Sequence, residues 1–90
     1  MELTNIEKLY IKYQALVVAF SDKDFYSTIN KEQRQSLLKE EAYALIYSVY
    51  DYVNEENLSL THWQSVAHAL RAIDDYKLAV SFLDPIFNRV

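Results

Sequence analysis

The stretch "NKEQRQSLLKEEAYALIYSVYDYVNEEN", residues 30 to 57, runs without a glycine or a proline. Leu38, Ala42, Leu45, Val49 and Val53 recur along it at steps of three and four, the spacing of one helix face, with Ile46 on the flank. Asn30 followed three residues later by Gln33 is an N-terminal capping signal, and Asn57 suits the position just past a last turn. The pattern predicts a helix over about 31 to 54, long enough for neighbours to pack on two of its sides.

Working outward, Thr4 with Glu7 forms a capping box ahead of a stripe of Ile6, Leu9, Tyr13, Leu16, Val17 and Phe20, which predicts a helix over about 5 to 20. Residues 21 to 29, "SDKDFYSTI", read as a loop with Phe25 and Tyr26 turned inward. On the other side, Thr61 with Gln64 is a third capping signal, and Leu60 before it can pack on Ser65 or Val66. Asp74 and Asp75 favour a turn over a helix interior, so the spacing predicts helices over about 62 to 73 and 76 to 87, with Pro85 kinking or ending the last. Fold class is therefore all-α: one domain over residues 1 to 90, a compact four-helix bundle that ends in an αα-hairpin.

Within that hairpin, Trp63, Val66 with Ala67, Leu70, the turn Asp74-Asp75-Tyr76, Ala79 and Leu83 follow one another in a pattern that resembles a single tetratricopeptide-type helical hairpin. The likeness covers residues 61 to 87; Asp74 stands where the family turn usually has Gly, and Pro85 comes earlier than the family's proline. It implies the hairpin geometry and no ligand-binding residues, because stacked repeats normally need at least three units to form a groove. A looser likeness, in size, helical content and acidic-aromatic chemistry, is to the small helical immunity proteins that protect bacteria from bacteriocins.

Composition narrows the function classes. With 51% apolar residues and no cysteine, the chain stands on packing alone and fits a reducing, cytoplasmic compartment. Its longest apolar run, Ala15 to Phe20, is far short of the roughly 20 residues that span a bilayer, so no membrane partner is expected. A net charge of −4 disfavours direct nucleic-acid binding. The absence of glycine removes phosphate-cradling loops, and no cofactor is expected. His62 and His68 are six residues apart, on opposite sides of a helix, which argues against a metal site. Ser65 and His68 share a face without a third orienting group, so no catalytic site and no enzyme are expected.

What remains is charge and tyrosine. All nine basic residues lie at or before Lys39 or at or after Arg71, and residues 40 to 70 hold Glu40, Glu41, Asp51, Glu55 and Glu56. Glu55 and Glu56 come at the end of the long helix, where the helix dipole makes an exposed acid cost roughly 0.3 to 1 kcal/mol. With the core stripe at about 340° to 60° on a helical wheel, Tyr50, Tyr43 and Tyr47 fall at about 120°, 140° and 180°. Two explanations compete for this second stripe: rings buried by a second neighbour, or a binding face.

The candidate partner-binding set is Glu40, Tyr43, Tyr47, Tyr50, Asp51, Glu55 and Glu56. It points to an inhibitor or immunity-type protein that occludes a protein partner with a basic surface, such as a nucleic-acid-handling one. The alternative is a helical adaptor or secretion-type chaperone that holds a partner helix against the C-terminal hairpin. A homodimer joined through the tyrosine stripe is a third reading.

Overall fold

The computed structural model describes residues 3–21 and 30–87. They form an all-α fold of five helical segments: α1 (Asn5–Ser21), α2 (Lys31–Glu55), α3 (Leu60–Arg71), α4 (Tyr76–Ser81) and α5 (Asp84–Phe87). Ser21 closes α1, and the rest of the loop expected around Phe25 and Tyr26 lies outside the described residues.

Both long helices start where capping chemistry places them. The Thr4 hydroxyl accepts from the Glu7 N–H at 3.3 Å, while Glu7 Oε1 accepts from the Thr4 N–H at 3.2 Å and from its hydroxyl at 2.8 Å. These bonds satisfy donors that the first helical turn leaves unpaired, and the Thr4 hydroxyl, then its N–H, hold the Glu7 carboxyl below its usual range. At the head of α2, Asn30 Oδ1 accepts from the Gln33 N–H at 2.8 Å.

The end of α2 is a left-handed cap. Asn57 has φ 50°, and its N–H donates to the Asn54 carbonyl while the Leu58 N–H donates back to Val53. That pair of bonds is the Schellman arrangement, with Asn supplying the left-handed residue more usually given by Gly. Leu58 then packs against the core, so the reversal into α3 is closed by hydrogen bonds and by burial together.

α2 is the central element: α1, α3 and α4 all pack on it. Ala42, Ile46, Val49 and Val53 are wholly buried, so Ile46 belongs to the middle of the core and not to its flank. On α1 the buried line is Leu9, Leu16 and Ala19, whereas Val17, expected in the core stripe, is 39% exposed. α1 sits along one side of α2 and needs only a narrow strip of contacts there. Tyr10 and Tyr13 extend that strip to the C-terminus, with ring centroids 5.7 and 4.8 Å from Phe87. The Tyr13 hydroxyl donates to Asp84 Oδ1 at 3.0 Å, a bond across 71 residues of sequence.

The second half departs from expectation at two places. α3 begins at Leu60, two residues early, because Ser59 with extended backbone is its N-cap and its carbonyl takes the N–H groups of His62 and Trp63. Thr61 is therefore inside the helix, and Leu60, 72% exposed, packs on nothing; Leu58 fills the apolar place. The single last helix expected over 76 to 87 is two. Asp75 caps α4 by accepting from the Leu78 N–H at 3.3 Å, but Pro85 has no N–H to give the Ser81 carbonyl and its ring would strike that turn. The chain tightens through Leu83 N–H to Val80 O and Ile86 N–H to Leu83 O, and Pro85 instead opens α5.

Replacing Asn57 by Ala should lower stability by about 1 kcal/mol, since only the left-handed conformation makes the cap. Asn57→Gly should match or exceed wild type, and a urea midpoint for Gly no better than for Ala would overturn the cap assignment. Tyr13 gives a pH test. Burial first, then the bond to Asp84 and its charge, push the phenol up from 10.0 to about 12. The fold thus holds a proton that the unfolded chain releases, so this contribution is complete below pH 10.0 and fades as pH rises to about 12. The stability gap between wild type and Tyr13→Phe should shrink over that window; a constant gap would remove the Tyr13–Asp84 bond as its source.

Candidate functional site

α2 presents its non-core sides to three different surroundings, and the seven expected binding residues are divided among them. Tyr50 turns toward α3, its ring edge-on to Trp63 at 5.5 Å and 82°. That contact is of the kind worth about 0.5–1.5 kcal/mol beyond area burial, while 38% of the residue stays exposed. Tyr43 is half-buried, with Lys39 Nζ 5.6 Å from its ring centroid, one helical turn back.

Tyr47 is the ring that faces solvent, at 54% exposure. Glu40 and Asp51 are exposed on the same side of the helix, one seven and the other four residues away, and exposed Asn54 follows at the next turn. This outward face of Glu40, Tyr43, Tyr47 and Asp51 is what remains of the expected site as one contiguous surface.

Glu55 and Asp51 also border a second environment. A cleft of about 320 Å³ between α1 and α2 has Lys8 and Lys12 on one wall and Ser48, Asp51 and Glu55 on the other. The carboxylates that look uncompensated along the sequence therefore have basic neighbours supplied by α1. Glu56, the C-cap residue, is exposed at the tip beyond the helix.

The cleft continues along the α1–α2 seam as a trough of about 430 Å³. Ala15, Ala19, Ala44 and Ser48 form its walls, over a floor of Leu16 and Leu45, with Lys12 and Glu41 also at its edge. Ile11 and Val18, 51% and 56% exposed, stand on the α1 shoulder beside it. Sequence reasoning missed this feature, although a signal was there: Ile11, Ala15 and Val18 are a second apolar line on α1, at steps of four and three.

Elsewhere the polar groups serve the fold. His62 is buried at 7% exposure with Ser59 Oγ 2.7 Å from its Nδ1, while His68 is exposed and lies 5.6 Å from the Phe82 ring. Ser65 Oγ donates to the Thr61 carbonyl at 3.2 Å, which turns its hydroxyl toward the backbone and not toward His68. Among the described residues no three His, Asp or Glu side chains gather as they would around a metal ion, and no helix is long and apolar enough to cross a membrane. On α3, Ala67 is exposed and Ala69 takes the buried place, so the hairpin core is His62, Val66 and Ala69 against Ala79, Val80 and Leu83.

Comparison with protein-family models, with curated proteins and with solved structures finds no match.

The division of the tyrosines can be measured. Tyr47→Ala should leave stability within about 0.5 kcal/mol of wild type, whereas Tyr50→Ala should cost about 1 kcal/mol through the lost Trp63 contact. Equal effects in thermal unfolding would mean that the two rings share one environment.

Proposed function

We propose that this chain is a non-enzymatic binding protein whose outward α2 face, Glu40, Tyr43, Tyr47 and Asp51, meets a basic surface on a protein partner. The observation that supports this reading is the exposure of Tyr47, a large ring 54% open to solvent between the exposed carboxylates of Glu40 and Asp51. A ring of this kind can bury area against a partner while its hydroxyl keeps a polar contact, and tyrosines recur among the residues that dominate binding energy. The flanking carboxylates supply attraction at a distance and speed encounter with a basic groove. Tyr43, half-buried with Lys39 over its ring, lies beside Tyr47 on the same face.

A groove that handles nucleic acid has the matching charge, and filling it blocks its ligand. Inhibition by occlusion is the mechanism this surface fits, as the looser likeness to immunity proteins also implies. Glu55 and Glu56 drop out of the proposed contact, Glu55 because it lies about 80° round the helix from Tyr47 on the side of the cleft that Asp51 only borders, and Glu56 because it stands beyond the end of α2.

Affinity capture from lysate with wild type, Tyr47→Ala and Glu40→Lys, at low and at about 0.5 M salt, tests this. A basic partner should bind wild type at low salt, be released at high salt, and be retained at least tenfold less by either variant. A partner held equally by all three at both salts would overturn the reading.

A further inference from the structure

The α1–α2 seam has a different chemistry from the outward face of α2. One wall carries Lys8 and Lys12, the opposite wall Asp51 and Glu55, each pair about one helical turn apart along the same cleft. Farther along, the walls fall to Ala15 and Ala19 against Ala44 and Ser48, leaving a mainly apolar trough of about 430 Å³ that Lys12 and Glu41 also border. The surface is thus polar in the electrical sense, positive along α1 and negative along α2, with a strip of small residues beside the charges.

We propose that this trough is a two-fold interface between copies of this chain. Turn a second copy by half a revolution about an axis lying along the seam, and its α1 comes to lie over the first copy's α2. Because both pairs line the same cleft and a rotation about the seam leaves their heights unchanged, Lys8 and Lys12 of each copy then reach Asp51 and Glu55 of the other, and the match is made twice by symmetry. A second copy carries this complement automatically; any other partner would need the same charge order in reverse.

Sterics agree with charge. Small side chains along both walls let two helix pairs approach to the usual 8 to 10 Å between axes. Ile11 and Val18, each more than half exposed on the α1 shoulder, gain an apolar neighbour as α1 settles on the opposite α2, where Leu37 is 40% exposed and Ala44 lines the trough. The product is a four-helix layer made from two α1–α2 pairs. Lys8 and Lys12 are absent from the face proposed to meet a basic partner, so reversing their charge separates this interface from that reading.

Light scattering on eluting protein at about 100 μM, a concentration that fills a dimer of Kd about 10 μM or tighter, should give twice the 10.6 kDa of one chain. Two reversals follow: Lys8→Glu with Lys12→Glu, and Asp51→Lys with Glu55→Lys. Each alone should weaken self-association at least tenfold, because like charges then meet. An equimolar mixture of the two should restore a dimer containing one of each. A monomeric wild type, a dimer indifferent to either reversal, or a mixture that stays monomeric would each overturn the proposal. Should a reversal unfold the chain, the absence of native cysteine allows an independent check. Chains bearing Ala15→Cys, mixed with chains bearing Ala44→Cys, should join through a short thiol-reactive cross-linker at low occupancy, and failure to join would count equally against the interface.

Discussion

Ala42, Ile46, Val49 and Val53 are wholly buried on α2, and α1, α3 and α4 all pack on that helix. Each buried Ile or Val side chain contributes on the order of 1.5 to 3 kcal/mol, so this one line outweighs any single surface contact in the molecule. Alanine is part of this core on three helices: Ala42, Ala69 and Ala79 are all fully buried. Alanine permits close approach of two helices without the backbone entropy that glycine would cost, which is how a chain with no glycine at all reaches a dense core. Among the described residues, the one left-handed position is taken by Asn57.

α1 and α2 were legible because their signals are local. A capping box and an Asn N-cap act within three residues, and the helix period acts within four, so the expected and observed bounds agree to one residue at each end. The C-terminal third depends on competition between signals. Ser59 and Thr61 are both capable N-caps, and the Schellman reversal at Asn57 decided between them by delivering the chain with Ser59 already extended. Pro85 was correctly marked as incompatible with a continuous helix. That the chain would resume at once as α5 depended on Ile86 and Phe87 finding the core, and on Tyr13 meeting Asp84 across 71 residues, neither of which leaves a local trace.

The proposed binding surface was legible only in part, for a related reason. Periodicity places Tyr43, Tyr47 and Tyr50 on one side of α2, but that side is not one environment. α3 reaches its edge with Trp63 and takes Tyr50, while Tyr47, 60° farther round on a helical wheel at roughly 100° per residue, escapes contact. Charge was harder still. Counted along the chain, Asp51 and Glu55 have no basic neighbour; in the fold, α1 runs antiparallel beside them and lays Lys8 and Lys12 on the facing wall. The dipole penalty on an acid at the end of α2 is thereby offset for Glu55 by a helix some 40 residues earlier, an arrangement no sequence window of ordinary length contains.

These two surfaces on one helix follow different electrostatic rules, and the difference bears on how each can be used. The outward face of Glu40, Tyr47 and Asp51 is mainly negative, with Lys39 at its edge over Tyr43. Two copies brought together there would set carboxylate against carboxylate, so the face is suited to a foreign, basic partner and poorly suited to itself. The seam carries both signs in facing rows, which makes it matched to its own image and indifferent to a uniformly basic surface. A tyrosine-joined homodimer is disfavoured by the first property, and a seam-joined one is favoured by the second. Both properties come from the same fact of packing: α1 covers only one flank of α2 and contributes its lysines to that flank alone.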